Sequence, residues 1–210
     1  MAAAIAAEAK GADLIEIRLD WVERLNRESL QELLSSLSTV SLPKIATVMP
    51  RGLFGKFDGS ETERVELLRV AAPLVEYVDV GLEMSSHLVE ECLEGIGGGT
   101  EIILSRHSGR PLSRDEIRSM VGEKGRNHIY KIVMPASGLQ DNLVALEACQ
   151  SLTDFRRIIF CYGQLGVISR ALTPIFGSEW TYASVGLGRE TAPGQLQLES
   201  MKSIFGGLKL

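Results

Sequence analysis

The chain has 210 residues, of which 45% are hydrophobic and 23% charged, and this balance predicts a soluble globular protein with one substantial core. Its formal net charge of −5 argues against the broad basic surface that nucleic-acid binding requires, although a few local arginines can still bind a small anionic substrate. No continuous apolar stretch is long enough to span a membrane.

Short apolar runs rich in Ile, Val, Tyr and Phe alternate with longer amphipathic segments along the chain. The runs predict seven β-strands, at Leu14–Asp20, Lys44–Pro50, Tyr77–Glu83, Glu101–His107, Ile129–Pro135, Arg157–Gly163 and Trp180–Gly186. Apolar residues at helical spacing predict helices, at Ala2–Gly11, Arg27–Leu34, Thr62–Ala72, Asn142–Leu152 and Leu196–Phe205. Ser113 and Glu116 fit a capping box at the start of a further helix.

This alternation predicts an α/β protein with parallel strands joined by right-handed crossovers. Seven strands fit either an open doubly wound sheet or a barrel, and an eight-stranded barrel requires one more. The chain starts on a helix that would follow a first strand, so we interpret it as a barrel whose first strand is missing or altered, through truncation or a misassigned start. We expect one domain over residues 1–210.

The three cysteines, Cys92, Cys149 and Cys161, lie far apart and form no Cys-x-x-Cys pair, which argues against a zinc site. Two of them, Cys149 and Cys161, fall in helix-like and strand-like sequence, which is typical of buried thiols in a reducing compartment. The alanine-rich N-terminus lacks the basic region of a signal peptide. We therefore expect a cytoplasmic protein.

Lys131 lies inside an apolar run, where an ammonium group is costly to bury. A lysine there either reaches solvent, forms a buried ion pair or has a lowered pKa, and a neutral amine can attack a ketone to form an imine. His107 ends the preceding predicted strand, at the end where barrel enzymes place their catalytic groups. A histidine there can move a proton next to such an imine, or can be a solvated loop residue.

Other polar residues lie at the same ends of the predicted strands. Arg170 and Gln195 follow the later strands, and a guanidinium with amide donors can grip a carboxylate. Glu16, Arg18 and Asp20 alternate in the first run, which would put all three side chains on one strand face. That face is either half-exposed or lines a polar site.

Together these residues resemble the type I 3-dehydroquinate dehydratase (3-dehydroquinase) family. The resemblance covers nearly the whole chain, through segments whose order and spacing are specific together and weak singly: Gly11–Asp20, Ser105–His107, Tyr130–Pro135, Gly166–Arg170, Phe176–Ser178 and Ala192–Gln195. It implies a (β/α)8 TIM barrel that dehydrates 3-dehydroquinate to 3-dehydroshikimate, the third step of the shikimate pathway of aromatic amino acid biosynthesis. It implies no metal or organic cofactor, no nucleic-acid or membrane partner, and a homodimer.

The resemblance also assigns roles. Lys131 would form the imine with the substrate ketone, and His107 would remove a C2 proton and later help water to leave. Arg170 and Gln195 would bind the carboxylate, with Thr191 where the family often has serine.

Glu16 and Arg18 would contact substrate hydroxyls or order the site. Some positions depart from the family pattern: Met49 and Leu53 replace the usual arginine and acid, Gly81 replaces a glutamate, and Ser108-Gly109 follows His107 in place of Asp/Asn-Phe. Arg51, close in sequence, is a candidate to supply the missing guanidinium for substrate binding.

Two other interpretations stay open. One is a different Schiff-base lyase or aldolase on the same scaffold. The other is a degenerate homologue without catalysis that binds a partner.

Overall fold

A computed structural model describes residues 1–97 and 99–208 of the chain. The chain divides into two compact units, Met1–Leu104 (the N-terminal unit) and Ser105–Leu210 (the C-terminal unit). None of the helices among the described residues is both long enough and apolar enough to cross a bilayer.

The N-terminal unit alternates helices and strands. Its elements are α1 (Ala2–Ala9), β1 (Ile15–Arg18), α2 (Arg27–Ser36), β2 (Lys44–Thr47), α3 (Glu61–Ala71), β3 (Tyr77–Gly81), α4 (Ser86–Gly95) and the first part of β4 (Glu101–His107). Strands β1, β2 and β3 pair in parallel in chain order, with Ile17 opposite Ala46 and Thr47 opposite Asp79. Every residue of β2 is buried, as expected for a parallel strand covered on both faces.

The C-terminal unit continues the alternation. Its elements are the end of β4, α5 (Arg114–Met120), β5 (Ile129–Pro135), α6 (Leu139–Ser151), β6 (Arg156–Tyr162), α7 (Val167–Leu172) and α8 (Leu198–Leu208). Strands β5 and β6 pair in parallel over their whole length, from Ile129 opposite Arg156 to Pro135 opposite Tyr162.

Local sequence signals account for several helix positions. The predicted capping box at α5 is confirmed: the Glu116 carboxylate accepts from Ser113 N–H at 2.8 Å, and Ser113 Oγ accepts from Glu116 N–H at 3.3 Å. Asn142 on α6 fixes α7, because its Nδ2 donates to Leu165 O at 2.8 Å and its Oδ1 accepts from Ser169 N–H at 3.0 Å.

The predicted seventh strand, Trp180–Gly186, is wrong. Among the described residues this segment makes one isolated parallel bridge, in which Ser184 N–H donates to Leu196 O and Leu198 N–H donates to Ser184 O, both at 2.8 Å. Apolar alternation gives strand propensity, but a strand also needs a continuous row of backbone partners. This segment pairs with a loop at one residue, Ser184, and therefore does not form a regular strand.

Candidate active site

One face of strands β4, β5 and β6 gathers the candidate residues of the C-terminal unit. Lys131 pairs with Ile158 and Val133 pairs with Phe160, so the side chains of Lys131 and Phe160 share a face. Ser108 N–H donates to Val133 O at 2.8 Å, which makes His107 the neighbour of Val133 in a parallel pairing. The side chain of His107 therefore points to the same face as Lys131.

Lys131 is buried, with only 4% of its surface exposed. Its neighbours along β5 are apolar and buried as well. Its Nζ lies 4.5 Å from the centre of the Tyr182 ring. Burial disfavours the ammonium form, and the neutral amine is the form that adds to a ketone.

An aromatic pair lies between Lys131 and a buried guanidinium, that of Arg170. The rings of Tyr182 and Phe160 are 6.0 Å apart and tilted by 48°. Arg170, 2% exposed, places its Cζ 4.5 Å from the centre of the Phe160 ring. The segment that carries Tyr182 is tied to α7, because Thr181 Oγ1 donates to Arg170 O at 2.5 Å. These contacts form one continuous row of side chains: Lys131, Tyr182, Phe160 and Arg170.

The loop that carries Thr191 and Gln195 is anchored at the carboxyl end of β6. Gly163 N–H donates to Pro193 O at 3.0 Å. Gly194 has φ +78°, and a Cβ there would lie 2.2 Å from Gly163 O, so this close approach requires glycine. Gln195 Oε1 accepts from Thr191 N–H at 2.8 Å, and Gln195 Nε2 donates to Thr191 Oγ1 at 3.3 Å. Two of the three residues predicted to bind the carboxylate, Thr191 and Gln195, are thus in contact.

A second charged cluster lies in the N-terminal unit. Arg18 binds Asp20 through two hydrogen bonds, of 2.8 Å from Nε and 2.7 Å from Nη2, and donates a third to Phe54 O at 3.0 Å. Glu16 accepts from Thr47 Oγ1 at 3.1 Å. The predicted strand is two residues too long at this end, because β1 ends at Arg18 and Asp20 lies in a 3-10 turn.

The charge of Arg18 is strongly favoured. Burial opposes it, but the hydrogen-bonded Asp20 and the carboxylates of Glu16 and Asp79 outweigh burial and raise the pKa of Arg18. This guanidinium is a fixed positive charge.

Arg51 differs from Arg18 in being exposed. Its guanidinium pairs with Asp58, and their side chains are 70% and 62% exposed. The hydrogen bond from Arg51 lowers the pKa of Asp58, so the pair stays charged. Met49, at the position where an arginine was expected, is buried. A substrate carboxylate would have to compete with Asp58 for Arg51, and the role of Arg51 stays a prediction.

Glu83 fills the space next to Gly81. A Cβ at position 81 would lie 2.2 Å from a carboxylate oxygen of Glu83. That carboxylate pairs with the buried Arg64, whose Nε donates to Val48 O at 2.6 Å. At position 81 the resemblance expects a glutamate. Glu83, two residues later in the chain, places a carboxylate close to that position.

Sequence reasoning missed Glu83, Phe160 and Tyr182. A glutamate two residues after the unexpected glycine was the signal for the first. The two aromatic residues were visible in apolar runs, but nothing in the spacing indicated that their rings would meet Lys131 and Arg170.

Comparisons with known proteins give the similarity of the whole chain. The family model described as Type I 3-dehydroquinase matches residues 1–209. A 3-dehydroquinate dehydratase of Methanothermobacter thermautotrophicus is 32% identical over 200 residues, covering 94% of this chain and 86% of that protein. One from Dehalococcoides mccartyi is 31% identical over 202 residues, covering 94% of this chain and 87% of that protein.

Solved structures are similar over the same extent. A type I 3-dehydroquinate dehydratase from Clostridium difficile, with covalently modified comenic acid, matches with a TM-score of 0.88 at 25% identity, covering 99% of this chain and 85% of that one. A 3-dehydroquinate dehydratase from Aquifex aeolicus matches with a TM-score of 0.83 at 26% identity, covering 100% and 94%. These matches confirm the predicted α/β fold of the (β/α)8 TIM-barrel class.

Proposed function

Because the chain belongs to the type I 3-dehydroquinase family, we propose that it is a hydro-lyase that converts 3-dehydroquinate to 3-dehydroshikimate through an imine at Lys131. The observation that carries this proposal is the buried amine of Lys131 on the same strand face as His107. The reaction belongs to the shikimate pathway of aromatic amino acid biosynthesis.

The imine provides the electron sink for the elimination. The neutral Lys131 amine adds to the substrate ketone, a proton reaches the oxygen, and water leaves to give a protonated C=N bond. His107, in its neutral form, takes a proton from C2; the electron pair of that C–H bond forms a C=C bond, and the π electrons of the C=N bond move to nitrogen to give a neutral enamine. The protonated His107 then returns a proton as the hydroxyl leaves, and hydrolysis of the imine releases the enone and the free lysine.

Arg170 is the proposed carboxylate-binding group. Its guanidinium is held against Phe160 and almost wholly buried, so little conformational freedom is lost on binding. Gln195 and Thr191 contact each other in this structure and would turn their donors toward the carboxylate when substrate binds.

Glu16 and Arg18 keep their predicted role, which is to contact substrate hydroxyls or to order the site. The two hydrogen bonds that Arg18 donates to Asp20 and the one that it donates to Phe54 O give its guanidinium a fixed orientation for either task. For Arg51 we propose that it binds substrate only after the substrate has displaced Asp58 from its guanidinium.

We also propose a single domain over residues 1–210, a cytoplasmic location and a homodimer that works without metal or organic cofactor. Sedimentation velocity at micromolar concentration tests the dimer, which would give twice the mass of the 22.9 kDa chain.

The test of the proposed activity is the ultraviolet absorbance of the conjugated enone after the purified protein is mixed with 3-dehydroquinate. The absorbance should rise with the protein concentration. No rise with a protein shown to be folded by circular dichroism would contradict the proposal. If another keto compound forms a reducible imine while 3-dehydroquinate is inert, a different Schiff-base lyase or aldolase is the better description.

A further inference from the structure

The ring of Tyr182 lies against the amine that the proposed reaction uses. The Nζ of Lys131 is 4.5 Å from the ring centre, which is within the range of a cation–π contact. Lys131 is 4% exposed and Phe160, whose ring lies beside that of Tyr182, is 2% exposed, while Tyr182 itself is half-buried. Burial of the amine strengthens a cation–π contact, because the ring then competes with less water.

The position of this ring is fixed by its neighbours. Phe160 lies on the strand face that carries Lys131 and contacts the ring of Tyr182. The hydrogen bond from Thr181 to the Arg170 carbonyl holds the adjacent backbone. Tyr182 therefore keeps its contact with Lys131 although the segment that carries it forms no strand.

The nitrogen of Lys131 changes its charge during the reaction. It is neutral when it attacks the ketone, carries one positive charge in the protonated imine, and is neutral again in the enamine. The face of an aromatic ring attracts the positive charge of the protonated imine and has little effect on the neutral forms.

We propose that Tyr182 stabilises the protonated imine at Lys131 through the face of its ring, and that this is its contribution to the dehydration. The inference rests on the proposed imine at Lys131. Its alternative is that Tyr182 only fills space beside the lysine, in which case any ring of the same shape would serve equally well.

The electron density of the ring separates these two roles. Tyr182 is replaced by phenylalanine and by 4-fluoro-, 3,5-difluoro- and 3,4,5-trifluorophenylalanine, which nearly preserve the shape of the ring while progressively withdrawing negative charge from its face. The readout is the rate at which cyanoborohydride and 3-dehydroquinate label Lys131, followed by peptide mass spectrometry. We expect Tyr182→Phe to react within about twofold of the natural protein, and the trifluoro variant to be about tenfold slower than Tyr182→Phe.

Phe155 provides the matched control. Its ring lies 5.2 Å from the guanidinium carbon of Arg126 and packs edge-on against Tyr130 in the same unit. Tyr130 precedes Lys131 on β5 and points to the opposite face of the strand. The same fluorinated replacements at Phe155 should leave the labelling rate of Lys131 unchanged. Near-ultraviolet circular dichroism and urea midpoints verify that every variant is folded.

A substrate-independent arm distinguishes this inference from the proposed activity. Formaldehyde with cyanoborohydride methylates lysines through the same kind of protonated imine, and peptide mapping isolates Lys131. A graded loss across the Tyr182 series in this arm supports the inference even if 3-dehydroquinate gives no adduct with the natural protein, a result that would count against the proposed activity alone. Equal rates across the series, with a normal 3-dehydroquinate adduct, would overturn the inference and leave the activity standing.

Discussion

The two units hold their buried basic side chains in different ways. In the N-terminal unit, Arg18 is clamped by the two oxygens of Asp20, and its pKa is raised despite burial. In the C-terminal unit, the amine of Lys131 lies over the ring of Tyr182. A carboxylate in contact with a basic group favours its charged form strongly, and the face of a ring favours a cation more weakly. We propose that Arg18 contacts substrate hydroxyls or orders the site, and that Lys131 reacts with the substrate ketone.

The largest expected effect is at Lys131. Lys131→Ala should abolish the imine and lower the dehydration rate by about four orders of magnitude or more, because no other group in the proposal adds to the ketone. Steady-state kinetics with 3-dehydroquinate measures this. Lys131→Arg is the matched control: it places a permanent positive charge against Tyr182 and cannot form the imine. Equal activity of Lys131→Arg and the natural protein would remove the chemical distinction between the two units.

Removing the imidazole of His107 should separate imine formation at Lys131 from the elimination of water. His107→Asn should lower the turnover rate by about 10²- to 10⁴-fold, the usual contribution of a general acid–base group. Borohydride should still trap substrate on Lys131, because the amine is intact. Turnover is measured by enone absorbance and trapping by intact mass. A variant that turns over normally would show that another group moves the C2 proton.

The carboxylate clamp of the N-terminal unit should matter for stability. In the Arg18–Asp20 pair the side chains are 10% and 0% exposed, and Asp20→Asn leaves Arg18 buried with a weaker partner. We expect the free energy of unfolding to fall by about 3 kcal/mol, as for other broken buried ion pairs. Urea unfolding measures the loss.

Asp58→Asn is the matched control for Asp20→Asn, because it breaks the exposed Arg51–Asp58 pair. It should leave the urea midpoint unchanged. Equal losses in the two variants would show that burial does not set the strength of the Arg18 clamp.

The smallest expected effect concerns an exposed pair in the C-terminal unit. Hydrogen bonds from Arg110, and from the Ser113 backbone and hydroxyl, lower the pKa of Glu116 from 4.5 to about 2. A lowered pKa in the folded state means that this carboxylate stabilises the fold above about pH 4.5, and that the stabilisation is lost as the pH falls toward 2. The stability difference between the natural protein and Glu116→Gln should shrink over this interval, as followed by urea unfolding at stepped pH. A constant difference would contradict the assignment.

Local chemistry made much of the fold predictable. The capping box at Ser113 and Glu116 and the apolar runs that became β1 to β6 depend on neighbouring residues, so they could be read from the sequence. The seventh strand failed because the pairing of Trp180–Gly186 depends on what the rest of the chain offers as a partner. Short-range patterns carry no information on such a partner.

The same distinction applies to the site. The apolar runs predicted that His107 ends one strand and that Lys131 lies inside the next. Their common face depends on the register of β4 against β5, which only the structure gives. Two other features depend on the rotamers of long side chains, which the sequence does not give. They are the pairing of Arg51 with Asp58 and the position of the Glu83 carboxylate beside Gly81. Tyr182 and Lys131 are about fifty residues apart in sequence, so no local pattern indicates that the ring and the amine are in contact.

The central claim is that Lys131 becomes covalently bound to the substrate ketone. The most direct measurement is borohydride reduction in the presence of 3-dehydroquinate, followed by intact mass and peptide mapping. The account predicts one adduct per chain, on the peptide that contains Lys131, and no adduct in Lys131→Arg. A protein that turns over substrate without any adduct, or with the adduct on another lysine, would contradict it.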